Sequence, residues 1–166
     1  MSTYTNILVG FDLSTESKQV AQTTAAMAKQ FGANVVCLHV IDPATIVRDA
    51  ESISFVAPGG GVPVPVAPQI TKEQQDVAIQ RARETLNQLC KAQGLEKAET
   101  EVHVGTDPKA VIRDMAKKYG VDLIIVGSHG RHGLSLLLGG STARSVLSDS
   151  PSDVLAVRVK ERNDTS

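Results

Sequence analysis

The feature that most restricts this chain is the alternation of two kinds of segment. Asn6 to Phe11 (NILVGF), Asn34 to Ile41 (NVVCLHVI) and Asp122 to Val126 (DLIIV) are short apolar runs rich in β-branched residues. Runs of that length and composition read as strands. A strand that is apolar along its whole length needs cover on both faces, which is the condition of a parallel sheet flanked by helices.

The segments between these runs have the helical period. Ala21, Thr24, Ala25, Ala28 and Phe31 recur at spacings of three and four, so Thr15 to Gly32 reads as a helix, with Ser14 as its expected N-cap and Gly32 as its stop. Thr71 to Gln93 reads as a second helix, with Ala78, Ala82, Leu86 and Leu89 inward, Gly94 after it, and Thr71 and Gln74 at capping-box spacing. Glu99 to Val104 alternates as a strand, and Asp107 to Tyr119 is helical with Pro108 in its first turn. A short helix over Ser141 to Leu147 and a last strand over Val154 to Val159 complete the order βαβαβαβαβ. Ligands of such sheets bind beyond the carboxyl ends of the strands, where strand order reverses. Asp12, the residues around Val40, and Gly127 all fall at such ends.

One connection breaks the pattern. Asp42 to Ile70 is longer than the usual two to six residues of a βα connection, and within it APGGGVPVPVAP is dense in glycine and proline. It reads as a Pro/Gly-rich insertion loop over 43–70. The functional alternatives are a lid over the crevice or a docking segment for an unidentified protein partner.

Composition limits the function classes. A length of 166 residues with 42% hydrophobic content is one domain's worth of core, so 1–166 is expected to be a single domain. A net charge of −1 provides no global attraction to nucleic acid or anionic lipid, and 3% aromatics without tryptophan leave little for base stacking. No leader or bilayer-length apolar run is visible, so the expectation is a cytoplasmic protein without membrane insertion. Cys37 and Cys90 lack any ligand or CxxC spacing and read as reduced packing residues.

The chemistry is concentrated in GSHGRHGLSLLLGGST, Gly127 to Thr142. Glycines let a backbone approach a phosphate closely, and a following helix N-terminus adds free N–H donors and partial positive charge. GxxxxGK[ST] and GxGxxG are both absent, so neither a Walker ATPase nor a classical Rossmann dehydrogenase is supported. The spacing present is G-x2-G-x9-G-[ST], through Gly127, Gly130, Gly140 and Ser141. His129 and His132 have no partner at metal-ligand spacing; they are read as neighbours of a phosphate beside the Arg131 guanidinium. His39 and His103 alternate with apolar residues on strands and read as structural.

With NILVGFDLSTESKQVA, CLHVIDP, VGTDPKAVIRDMAKKYGVDLIIVGSHGRHG, GGSTARSVL and VLAVRV, the sequence resembles the ATP-binding branch of the universal stress protein family along nearly its whole length. The resemblance implies a single α/β domain of the adenine nucleotide alpha hydrolase-like, Rossmann-like kind, with a five-stranded parallel sheet and helices on both faces. It implies an adenine nucleotide, ATP with Mg2+, at the carboxyl end of the sheet, and a homodimer through the last strand. By position, Asp12 lies near the ribose or the phosphate-bound cation. Val40 and Val126 contact adenine, with Phe11 beside them. The backbone of Gly127, Gly130 and Gly140, with Ser141 and Thr142, holds ribose and phosphates. Phe11, where the family has a smaller residue, Asp153, where it has proline, and the long insertion all depart from the pattern. Three functions follow: a regulatory ATP-binding dimer in stress response with little or no turnover, a slow ATPase or nucleotidyl-transfer enzyme, and an interaction module without nucleotide, such as a transporter accessory protein. The loop offers histidine and arginine but no acidic residue to position a water, which favours the first over the second.

Overall fold

Five strands pair in parallel in one sheet. In the computed structural model, which describes residues 3–51, 69–127, 150 and 152–158, they are β1 (Asn6–Phe11), β2 (Asn34–Ile41), β3 (Glu99–Val104), β4 (Leu123–Gly127) and β5 (Asp153–Val157). Their order across the sheet is β3-β2-β1-β4-β5. The helices are α1 (Ser17–Phe31), α2 (Pro43–Glu51), α3 (Lys72–Ala92) and α4 (Pro108–Lys118). Sequence and structure agree on a single-domain α/β fold with helices on both faces of a five-stranded parallel sheet.

The strand order decides where the helices go. From β1 to β3 the chain steps in one direction across the sheet, then crosses back from β3 to β4. Parallel crossovers are right-handed, so a reversal of direction moves the connecting helix to the opposite face. Ile7, Val9, Phe11, Val35, Cys37 and Ile125 accordingly pack with Val20 and Ala21 of α1 and with Leu86 and Cys90 of α3. Leu8, Val36, Leu38, Ile124 and Val126 pack with Ile112 and Ala116 of α4. The two sets alternate along each strand, as the period of two requires.

Local signals account for most element ends. At α3 the capping box forms in both directions: Thr71 Oγ1 accepts from Gln74 N at 3.2 Å, and Gln74 Oε1 accepts from Thr71 N at 2.9 Å. Asp107 caps α4 by accepting from Lys109 N and Ala110 N. Gly32 ends α1 with φ of 65°, a left-handed conformation that favours glycine.

Two expectations need correction. Helix α1 begins at Ser17 rather than Thr15, and its N-cap is Glu16, which makes no side-chain cap. Ser14 does not cap because it stands two residues before the cap position; its hydroxyl donates to Asp12 Oδ1 at 2.6 Å. The insertion is also not loop from its start. Pro43 to Glu51 is helical: Asp42 Oδ1 accepts from Ala44 N at 2.9 Å, proline tolerates the first helical position, and Ile46 is buried against the α1 and α3 side of the core. Residues 52–68, which carry the Pro/Gly-rich stretch, lie outside the described residues. So does the expected helix over Ser141 to Leu147. The last strand runs from Asp153 to Val157 instead of Val154 to Val159, with Val159 outside the described residues.

The amino end of the sheet is held by a hydrogen-bonded set centred on Asp122. Its carboxylate accepts from Thr5 N at 2.8 Å, Thr5 Oγ1 at 2.7 Å and Asn6 N at 3.1 Å. Its backbone continues the set, Asp122 N to Asn6 O and Asp153 N to Asp122 O, each at 3.0 Å. Asp153, at the position where proline was expected, also accepts from Tyr4 OH at 2.9 Å, so it ties the start of β5 to the N-terminal arm. Among the described residues no helix is long and apolar enough to cross a membrane.

Leu86 is fully buried where α3 meets the sheet. Leu86→Ala is expected to cost about 2–5 kcal/mol of unfolding free energy through lost burial and the cavity left behind, read as a lower midpoint in guanidinium denaturation with little change in slope.

Candidate functional site

The reversal of strand order falls between β1 and β4, so their carboxyl ends open the crevice that such sheets use for ligands. Gly10 pairs with Val126 across it. Val126 is buried on the α4 face of the sheet, and Val40, half-buried at the end of β2, packs on that same face. Gly127 is the last residue of β4 and half-buried. The fold therefore brings together Phe11, Asp12, Val40, Val126 and Gly127 at one end of the sheet. Gly130, Arg131, Gly140, Ser141 and Thr142 lie outside the described residues.

Phe11 presents its backbone carbonyl at this end, 2.7 Å from His39 Nδ1. Its ring is 5% exposed and packs into the core on the α1 face. Its larger side chain is therefore accommodated by the core.

Asp12 follows directly. Its Oδ1 accepts from Ser14 N at 3.0 Å, Ser14 Oγ at 2.6 Å and Ser17 Oγ at 2.8 Å. The first of these is an Asx turn, and it closes around Leu13, whose φ of 57° is left-handed. A leucine there costs about 1–2 kcal/mol, so the hydrogen bonds to Asp12 hold a disfavoured turn at the strand end. Burial by itself would push the Asp12 carboxyl up; hydrogen bonds from the Ser14 side chain and backbone and from Ser17 outweigh it and hold the group below the usual carboxylate value. Asp12 is thus ionised at neutral pH. Oδ2 takes no hydrogen bond from the described residues. Asp12 has one oxygen committed to the turn and one left for a ligand hydroxyl or the water shell of a cation. An ionised carboxylate of this kind suits Mg2+, which keeps most of its waters and is held mainly through phosphates.

Two residues at this end escaped the sequence reading as site neighbours. His39, in register with Phe11, has Nδ1 at 2.7 Å from Phe11 O. A carbonyl only accepts, so Nδ1 carries the proton. Burial pushes the His39 pKa down, against the opposing effects of the Phe11 carbonyl and the Asp12 charge. The neutral ring therefore leaves Nε2 as an acceptor. Gly105, just after β3, donates its N–H to Ile41 O at 3.0 Å, and a Cβ there would sit 3.4 Å from Val111 and 3.9 Å from Val40. The only signal for either in the sequence is position at a strand end.

A groove of about 1020 Å³ lies at the opposite, amino end of the sheet. Its lining mixes Lys29 and Lys97 with Glu96 and Glu99 and presents no field of one sign. The ionised carboxylate and the strand-order reversal are both at the carboxyl end.

The family model described as "Universal stress protein family" matches residues 3–158. The chain belongs to the universal stress protein family. Universal stress protein A homolog 2 of Coxiella burnetii is 33% identical over 161 residues, covering 96% of this chain and 99% of that protein. A universal stress protein solved in complex with cAMP superposes with a TM-score of 0.58 at 21% identity, covering 95% of this chain and 98% of that one. The universal stress protein of Archaeoglobus fulgidus solved in complex with dAMP gives a TM-score of 0.53 at 24% identity, covering 95% and 99%. At these identities the solved structures speak for the fold.

The His39 environment makes a pH prediction. The folded pKa is depressed below the usual 6.5, so the unfolded chain binds the proton first as pH falls. Stability is full above pH 6.5 and declines as pH drops below it towards the folded pKa. His39→Gln is expected to flatten this slope in urea denaturation measured from pH 7.5 downward, and an unchanged slope would assign it to other groups.

Proposed function

We propose that this universal stress protein binds an adenine nucleotide, ATP with Mg2+, in the crevice between β1 and β4, and acts in stress response or regulation as a homodimer with little or no turnover. The observation that carries the reading is Asp12: an ionised carboxylate at the strand-order reversal, with one oxygen free of the described residues and set one strand away from the start of the glycine signature at Gly127. The likeness in fold to universal stress proteins solved with cAMP and dAMP supports an adenine nucleotide.

In this reading Val40 and Val126 provide the apolar contacts for the base, with Phe11 lending its backbone. Gly127, Gly130 and Gly140 bring main-chain N–H groups to the phosphates, together with Ser141, Thr142 and Arg131. Asp12 Oδ2 receives a ribose hydroxyl or a cation-bound water. Mg2+ supplies charge neutralisation on the phosphates when bound.

The dimer reading rests on a contrast between the two edges of the sheet. Edge strand β3 presents Glu99, Glu101 and His103 on its α4 side, and Glu101 Oε1 accepts from Lys118 Nζ at 2.6 Å. Burial would raise the Glu101 carboxyl; hydrogen bonds from Lys118 and Tyr119 bring it down to about 2. A strand charged in this way resists pairing with another edge. Edge strand β5 reads DVLAV, with Asp153 already bonded to Tyr4, and is the edge suited to a second copy.

Calorimetric titration with Mg2+ and ATP, ADP or AMP tests the nucleotide. Micromolar binding is expected for the wild-type chain. Gly130→Val, which places a side chain where backbone must approach phosphate, is expected to abolish that binding while unfolding stays cooperative. Equal affinity in the variant would sink the site assignment; steady release of phosphate at saturating ATP would move the reading to a slow ATPase. For the dimer, Ala156→Lys puts a charge on the exposed side of β5. Sedimentation of this variant is expected to show monomer where the wild-type chain shows dimer; a wild-type monomer, or an undisturbed dimer in the variant, would remove β5 as the interface.

A further inference from the structure

The pairing of β1 with β4 stops at Gly10 and Val126, and its pairing with β2 stops at Phe11 and His39. Asp12 comes next, so it leaves the sheet where the strand register has ended. The three hydrogen bonds that its Oδ1 accepts all come from residues after it, Ser14 and Ser17. They tie the carboxylate to the turn and to the start of α1. They leave open what holds the backbone entering the turn from β1.

His39 supplies that hold. Its Nδ1–H donates to Phe11 O at 2.7 Å, between residues 28 positions apart in the chain. A peptide unit is planar, and the plane that contains the Phe11 carbonyl also contains the N–H and Cα of Asp12. A donor bonded to that oxygen therefore fixes the point from which the Asp12 side chain starts. The donor is itself anchored: His39 is half-buried, and its backbone lies in β2, paired with β1 on one side and β3 on the other.

We propose that His39 is a positioning residue for Asp12, its Nδ1–H holding the peptide plane from which the carboxylate projects and so setting where Oδ2 meets a ligand hydroxyl or a cation-bound water. The role rests on the reading of the crevice as an adenine-nucleotide site. Held at Oδ1 by the serines and at Cα through His39, the carboxylate keeps little freedom, and a group already in place avoids the entropy cost of being ordered on binding. The turn needs both holds, because Leu13 is in a left-handed conformation that leucine disfavours. The residue after His39 is Val40, assigned to the base, so one bond couples the strand ends on the two sides of the ligand. The proton must sit on Nδ1 for this role. A free histidine side chain in water favours the other tautomer, and here the bond to the carbonyl sets the choice.

The test compares the full-length wild-type chain with His39→Leu, which removes the donor, and His39→Asn, whose side-chain amide nitrogen stands close to the position of Nδ1. In calorimetric titration with Mg2+ and ATP, His39→Leu is expected to bind about tenfold more weakly, and His39→Asn to bind close to wild type. Guanidinium midpoints are read on the same samples. Leucine suits a half-buried strand position better than asparagine, so a role in stability alone would order the variants the other way. In the ligand-free proteins, exchange of the Ser14 N–H with solvent is expected to be faster in His39→Leu and restored in His39→Asn. Equal affinity in His39→Leu, or an asparagine variant as weak as the leucine one, would overturn the proposal. A wild-type chain that binds no nucleotide would remove the nucleotide reading by itself, and Ser14 exchange would then decide the positioning role: unchanged exchange in His39→Leu overturns it, and the expected pattern supports it. Nitrogen NMR of the wild-type ring decides the matter even where a variant fails to fold, since a proton found on Nε2 in place of Nδ1 would also overturn the proposal.

Discussion

Strand β1 is the constraint on which the rest depends. It pairs in parallel with β2 on one side and β4 on the other, and Ile7, Leu8 and Val9 in its middle are fully buried. Because each neighbour is parallel, each must be reached by a crossover, and a right-handed crossover to either side places its helix on a different face. The two apolar clusters and the separation of the strand ends above β1 both follow. The crevice is a consequence of building outward from this strand in both directions.

The turn leaving β1 has a different balance of forces. The core of the strand is stabilised by burial, which is indifferent to direction, but Leu13 is held in a left-handed conformation by directional bonds to a single oxygen of Asp12. Strain kept in place by its surroundings is common at ligand sites. Here the hydrogen bonds that stabilise the turn also keep the carboxylate charged, so local backbone geometry and ligand chemistry depend on the same atoms.

How legible the fold was varies with the range of the interaction that fixes each element. Thr71 and Gln74 are three residues apart and make their capping box as the spacing implies. The apolar runs of β1, β2 and β4 are local patterns and read correctly. Ser14 failed as a cap because Asp12 draws its N–H and hydroxyl into a turn after β1 and the helix starts only at Ser17, which propensity alone does not settle. Helix α2 was absorbed into the proline-rich stretch that follows, although Asp42 and Pro43 form a sound helix start; the decisive contact is the burial of Ile46 against distant residues. Long-range pairs were the least legible. Nothing in the spacing of Phe11 and His39 announces that they touch. Asp12, Val40, Val126 and Gly127 were legible as residues at or near strand ends, while the second half of the glycine signature lies outside the described residues.

The two ends of the sheet differ in how fully their polar groups are used. At the amino end, Asp122 accepts three hydrogen bonds within 3.1 Å, and Asn6, Asn34 and Ser152 close the remaining gaps by bonds to neighbouring strands and turns. A polar group so engaged adds stability and has little left to offer a ligand. At the carboxyl end, Asp12 and His39 each use one atom to hold the backbone and keep a second free of the described residues: Oδ2 of an ionised carboxylate and Nε2 of a neutral imidazole. Both atoms are acceptors. An acceptor left open in this way is satisfied by a donor from outside, such as a hydroxyl, an amino group or water.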